Sequence, residues 1–238
     1  MSTPTPTPPT PTPSTHVPIL TDAELAHAVG GPPPVIEREQ RETSPSPFFE
    51  GNPGAVGVPV FVAGTVALAL VLIGYVPASA VGASIPTIGT ATGLGLTIAT
   101  VWAAAVGQSA VASIFGIFAG FWLSYAALVL GLTHNWFNIS ASAAVHTQAL
   151  FLITWLVIIG LLTLATLRLP LAFTVLFVLI EACLAVVLAS TINASSDLSK
   201  VAGWIAFAFA AVGAYLYVGI ASVATGGPNV PLGRPILK

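Results

Sequence analysis

The sequence predicts an all-α integral membrane protein with six transmembrane helices. Hydrophobic residues make up 55% of the 238 residues and charged residues only 6%, whereas a soluble domain carries about 25% charged residues. Six apolar segments of roughly twenty residues follow one another, and a helix of that length spans about 30 Å. Because a backbone in lipid must satisfy its own hydrogen bonds, we expect these segments to be helices.

The charges and prolines divide the chain into three parts. Of the fourteen charged residues (six basic and eight acidic), ten lie in the first 50 positions or the last five, and twelve of the twenty prolines lie in the first 50. The Pro-Thr repeat within residues 1–50 has too little apolar matter to fold, which predicts a disordered cytoplasmic tail. Residues 51–225 form the predicted transmembrane transporter domain, and residues 226–238 a short cytoplasmic C-terminal tail.

Short breaks separate the six apolar segments. The segments are expected at residues 55–76, 88–106, 111–132, 144–167, 169–190 and 201–224. The run VPASAVGASIPTIGT, residues 76–90, separates the first two because its prolines, glycines and hydroxyl residues interrupt the apolar pattern. The runs GQSA, THNWFN and TINASSDLSK mark three further turns, and Arg168 separates the fourth segment from the fifth.

The basic residues predict the orientation of the chain. Six spans place both termini on one side of the membrane, together with the turns after the second and fourth spans. Five of the six basic residues fall on that side: Arg38, Arg41, Arg168, Arg234 and Lys238. Lys200 falls on the other side, three residues from Asp197. Because basic residues concentrate in cytoplasmic loops, we expect a multi-pass protein of the cell membrane with both termini in the cytoplasm.

The sequence carries no catalytic or cofactor-binding pattern. It has no Ser-His-Asp arrangement, no glycine-rich phosphate loop and no cysteine and histidine cluster with metal-ligand spacing. It also has no basic patch that would suit nucleic acid. We therefore expect no enzymatic activity, no catalytic residues, no metal, no cofactor and no nucleic-acid partner.

Glu181 lies near the middle of the fifth apolar segment, about eleven residues from either end. A lone carboxylate at that depth costs several kcal/mol unless it is protonated or partnered, and such residues often have functional roles. One hypothesis makes Glu181 a proton-coupling residue that faces a wet path or a helix interface. The alternative is a permanently protonated carboxyl group hydrogen-bonded to a neighbouring helix.

Aromatic residues cluster in the third segment, where Phe115, Phe118 and Trp122 share one helix face. Core or lipid-facing packing would explain such a face, and so would a hydrophobic constriction in a narrow pore. The stretch GNPG, residues 51–54, precedes the first segment. Asn52 is suited to cap the helix and Pro53 to its first position, and the free amides there would also attract an anion at a pore mouth.

Stretches at the first, third and sixth segments resemble the acetate uptake transporter family, of the acetate–succinate permease type. NPGAVGV, residues 52–58, is similar to the family signature Asn-Pro-x-x-Leu-Gly-Leu, with valines in both leucine positions. FGIFAGFWLS, residues 115–124, resembles Phe-x-x-Tyr-Gly-x-Phe-Trp-Leu-Ser, with Phe118 in the tyrosine position. AGWIAFAFAAVGAYLYV, residues 202–218, resembles the family's sixth span. The resemblance covers about 180 residues and leaves the N-terminal tail outside.

The resemblance implies a channel-like bundle of six helices, assembled as a homo-oligomer, usually a ring of six subunits with one solute path each. It implies uptake of acetate and related small monocarboxylates, in some members succinate, coupled to protons. By motif position, the substrate path would include Asn52, Phe61, Phe115, Phe118 and Ile180. Phe118 lacks the family's tyrosine hydroxyl, and Glu181 stands where the family commonly has a small or hydroxyl residue.

Two other functions stay open from the sequence. The protein would be a passive channel if small solutes crossed it along their own gradient, without protons. It would be a membrane-embedded structural or signalling protein if its tail recruited partners and no solute crossed it.

Overall fold

Six helices that are long and apolar enough to cross a membrane account for most of residues 51–237, the part that the structure, a computed structural model, describes. The prediction for residues 1–50 lies outside the described residues. The α-helices, with their bounds, are α1 (Gly54–Leu72), α2 (Gly95–Ala105), α3 (Ser109–Thr133), α4 (Ala141–Thr166), α5 (Leu171–Asn193) and α6 (Ser196–Ala224). The all-α fold with six spans is therefore confirmed.

The second span begins earlier than the sequence predicts. A 3₁₀-helix (Ala78–Ser84) and a π-helix (Pro86–Leu94) precede α2, and the apolar span runs over Gly82–Ala105. The predicted start at residue 88 is therefore wrong by several residues. The prediction rests on the prolines, glycines and hydroxyl residues of the run 76–90, but Pro77 precedes the 3₁₀-helix and Pro86 is the first residue of the π-helix. A helix start needs no N–H donor, so proline is tolerated at both places.

The six spans form a closed ring in chain order. Each helix packs against the helices before and after it in the sequence, and α6 returns to pack along the full length of α1. Short connections make consecutive helices antiparallel. The N-terminal ends of α1, α3 and α5 and the C-terminal end of α6 therefore lie at the same end of the ring.

Hydrogen bonds between distant segments hold both ends of the ring. At one end, the Ser199 hydroxyl at the start of α6 donates to the Leu72 carbonyl at the end of α1, at 2.9 Å. At the other end, the Leu167 carbonyl after α4 accepts from the Ile236 amide at 3.1 Å. The Ala172 amide at the start of α5 donates to Leu232 at 2.9 Å. The C-terminal residues therefore lie beside the turn between α4 and α5.

Small residues let neighbouring helices approach closely. Gly64 of α1 faces Thr92, which is fully buried and donates from its hydroxyl to the Val60 carbonyl at 2.8 Å. Gly116 and Gly120, four residues apart on α3, contact Thr100 of α2 and Trp155 of α4, respectively. The two glycines therefore serve two different helix contacts.

Gly64→Ala is expected to destabilise the protein. A Cβ at Gly64 would lie 2.8 Å from the Thr92 Cγ2 atom. Such overpacking costs about 1–3 kcal/mol, which outweighs the gain in helix propensity of at most about 1 kcal/mol. Thermal unfolding of the purified protein in detergent measures the effect. Gly82→Ala is the matched control, because nothing lies within 4 Å of a Cβ there; equal melting temperatures for the two variants would contradict the prediction.

Candidate functional site

A cavity of about 370 Å³ lies inside the ring, at the end where α1, α3 and α5 begin and α6 ends. Four of the predicted path residues line it: Asn52, Phe61, Phe115 and Phe118. The Phe115 ring packs against Gly57 of α1, where a Cβ atom would overlap the ring. This larger cavity is walled mostly by aliphatic and aromatic side chains.

A second, smaller cavity of about 50 Å³ lies deeper in the ring. Its wall includes Ile180, the fifth predicted path residue, together with Trp122. Phe61 and Phe118 line both cavities. These two side chains therefore stand between the larger and the smaller cavity.

The phenylalanine rings between the two cavities contact one another. The Phe61 and Phe118 ring centroids lie 5.0 Å apart with an interplanar angle of 66°, the edge-to-face arrangement that aromatic pairs favour. Phe177 of α5 lies 5.6 Å from Phe118, and Phe209 of α6 lies 6.2 Å from Phe61. Phe61 is 7% exposed and Phe118 4%. Four helices thus contribute to an aromatic constriction of Phe61, Phe118, Phe177 and Phe209.

Sequence reasoning did not find Phe177 or Phe209. Phe177 precedes Ile180 by three residues on α5, so helical spacing places both on one face, and this signal was available. Phe209 lies in the run AFAFAAV of α6, residues 206–212, where every residue is apolar. In such a run no pattern distinguishes the inward face from the outward one.

Asn52 lies at the open end of the larger cavity and is exposed. Its side-chain oxygen accepts a hydrogen bond from the Gly54 amide at 2.9 Å, and its carbonyl accepts from Ala55 at 2.9 Å. Asn52 therefore caps the first turn of α1, as the sequence suggests. The cap holds its amide group at the mouth of the cavity.

The chain after α6, residues 226–237, is here called the C-terminal strap. Gly226, with φ of +82°, ends α6 in the left-handed conformation that glycine adopts readily. Tyr215 donates to the Pro231 carbonyl at 2.7 Å and holds the strap against α6. Asn229, Val230 and Leu232 line the larger cavity. Sequence reasoning treated this segment as a short tail and missed its place in the cavity wall.

Glu181 lines neither of these two cavities. The side chain is half-buried, and its carboxyl group lies against Gly160 of α4, where a Cβ would come 3.4 Å from Oε1. That oxygen is buried and has no hydrogen-bond partner among the described residues. The structure therefore separates Glu181 from Ile180, which precedes it and faces the smaller cavity.

The walls of the two cavities, as far as the described residues form them, contain no charged side chain. Moving an unpaired charge from water into apolar surroundings is costly, and a neutral or hydrogen-bonded group crosses far more cheaply. Such walls suit the passage of a small solute with a reduced charge. They offer no nucleophile and base pair for catalysis.

The chain matches the GPR1/FUN34/yaaH family, an acetate transporter family, over residues 40–228. It belongs to this family. With six apolar spans, this member of the GPR1/FUN34/yaaH family is a multi-pass membrane protein, as the sequence predicts. The family resemblance drawn from residues 52–58 and 115–124 is confirmed.

Two further comparisons place this member of the family. The meiotically up-regulated gene 86 protein of Schizosaccharomyces pombe is 34% identical over 141 residues, which are 56% of this chain and 44% of that protein. The chain thus matches less than half the length of that relative. The structure of the bacterial acetate channel SatP superposes with a TM-score of 0.68 at 20% identity, covering 77% of this chain and 99% of the other. The two proteins share the six-helix fold.

Proposed function

We propose that this protein takes up acetate and related small monocarboxylates together with protons, along a path through the centre of the helix ring. The observation that carries the proposal is the pair of cavities that meet at Phe61 and Phe118. In this proposal the solute enters along Ile180, passes the aromatic constriction and leaves past Phe115 and Asn52. Succinate, a longer dicarboxylate, belongs to the proposal as a secondary substrate.

The uncharged walls support the involvement of protons. An ionised carboxylate would lose its hydration between Phe61 and Phe118 without meeting a basic side chain among the described wall residues. A protonated carboxylic acid is neutral and loses much less. Passage of the neutral acid carries one proton with each acid molecule, so transport follows the proton gradient as well as the acetate gradient.

The orientation of the path in the membrane is part of the same proposal. Five of the six basic residues lie on the side of the two termini, which supports cytoplasmic termini and a protein of the cell membrane. The larger cavity would then open to the cytoplasm. The family resemblance implies a homo-oligomer of six chains. Each chain would keep its own path, because both cavities lie inside the helix ring of a single chain.

Uptake of labelled acetate into liposomes that contain the purified protein tests the proposal. We expect an inward proton gradient to raise the initial rate several-fold, and acetate entry to acidify the interior. Protein-free liposomes are measured beside them, because acetic acid also crosses lipid unaided. Uptake that follows the acetate gradient alone would favour the passive channel. Rates no higher than in protein-free liposomes would favour a structural or signalling protein.

Phe61→Leu is expected to broaden the range of acids that pass. The change removes one ring of the 5.0 Å pair with Phe118 and keeps an apolar side chain. We expect the uptake of butyrate relative to acetate to rise several-fold in the liposome assay. Phe207→Leu is the control, since Phe207 packs beside Trp204 and lines neither cavity. An unchanged ratio in Phe61→Leu would place the selective step elsewhere.

Glu181→Gln decides which group carries the proton. Glu181 lines neither cavity, so we expect the variant to keep the pH dependence of acetate uptake, because the proton travels on the acid. The initial rate is measured over a series of external pH values for both proteins, and unfolding curves check that the variant is folded. Loss of the pH dependence in a folded variant would instead make Glu181 the proton-coupling residue.

A further inference from the structure

The indole N–H of Trp122 is a hydrogen-bond donor that the fold leaves unused. Trp122 is 2% exposed, and its Nε1 atom is buried without a partner among the described residues. Burying a donor without a partner destabilises the folded protein, because the donor loses its hydrogen bond to water. Most buried donors in folded proteins are paired, and an exception calls for an explanation such as a bound ligand.

The surroundings of Trp122 hold the ring in place. Phe121 meets it at 5.1 Å with an interplanar angle of 80°, and Phe61 at 6.4 Å with 71°. Trp122 is also part of the wall of the smaller cavity, next to the constriction. These contacts pack the indole ring beside the aromatic constriction.

The smaller cavity has the size and chemistry for one small acid. Its volume of about 50 Å³ exceeds the roughly 10–15 Å³ that a single water requires. Leu152, Leu184 and other apolar side chains form most of its wall, which suits a methyl group. The Cys183 thiol, also in this wall, already donates to the Ala202 carbonyl at 3.4 Å.

We infer that the Trp122 N–H binds the carboxyl group of the solute in the smaller cavity. The inference rests on the proposed function and assigns a binding site to it. A solute in this apolar cavity, beside the constriction of Phe61 and Phe118, has lost most of its water. The indole N–H then supplies one hydrogen bond to a carboxyl oxygen, while the apolar wall accepts the alkyl group.

Titration of the ¹⁵N-tryptophan-labelled full chain in lipid nanodiscs tests the inference. The chain has five tryptophans, so five indole N–H signals are expected. Sodium acetate should shift the Trp122 signal in a saturable way. Sodium sulfate at equal ionic strength should not, because the dianion is too strongly hydrated to enter an apolar cavity. Trp122→Phe assigns the signal, and if that variant does not fold, Trp→Phe changes at the other four positions assign it by elimination.

Transport by Trp122→Phe gives a second readout. We expect the acetate concentration at half-maximal uptake to rise about 2- to 10-fold, the range for the loss of one hydrogen bond, with a smaller change in maximal rate. A merely structural role would lower the maximal rate and leave the half-saturating concentration unchanged. Trp155→Phe is the control, because Trp155 packs on Gly120 and lines neither cavity.

The outcomes separate this inference from the proposed function. Acetate uptake by the unaltered protein, with no acetate-specific shift of the Trp122 signal, overturns the inference and leaves the proposed function standing. An equal response to both salts also overturns it, since the N–H is then held by water. If the unaltered protein takes up no acetate, the proposed function fails. The titration then still decides whether the N–H binds a carboxylate.

Discussion

Within lipid, every polar group must find its partner inside the protein, and this constraint governs the whole structure. It requires the six spans to be helices and limits charge to four residues between positions 51 and 233: Arg168, Glu181, Asp197 and Lys200. Hydroxyl side chains also find partners inside the protein: Thr65 and Thr163 donate to the backbone carbonyls four residues earlier, at 2.9 and 2.8 Å. Against this background the Trp122 Nε1 and Glu181 Oε1 atoms, which have no partner within residues 51–237, are informative.

The same constraint explains how a path can exist without charged walls. Helices that pack in a ring satisfy their own backbones, so the central space can be lined by side chains alone. Phenylalanines from four helices then narrow that space, with Phe61 and Phe118 in edge-to-face contact. The anion of a weak acid would suit the proposed path because one proton makes it neutral, whereas the anion of a strong acid, such as chloride, stays charged.

Along the proposed path, polar groups lie on both sides of the aromatic constriction. Asn52 and Asn229 offer amide groups at the larger cavity. The aromatic constriction offers only ring edges and faces, and the wall of the smaller cavity beyond it includes Trp122 and Tyr125, each with one polar group. The C-terminal strap takes part at the larger cavity, because it forms part of that cavity's wall. Polar contacts before and after the constriction reduce the free energy of entering an apolar passage and leaving it.

The sequence by itself determined the fold class, the number of spans and the family, because charge depletion, segment length and two motifs suffice for these. The motifs also indicated Phe61, Phe115, Phe118 and Ile180, which the structure brings to the two cavities. Only the tertiary structure decided that Glu181 faces α4, that Phe209 joins the constriction and that the strap lines the larger cavity. The reason is physical: a helix that is apolar on all sides has no pattern that marks its inward face, so the direction of each side chain depends on packing with its neighbours.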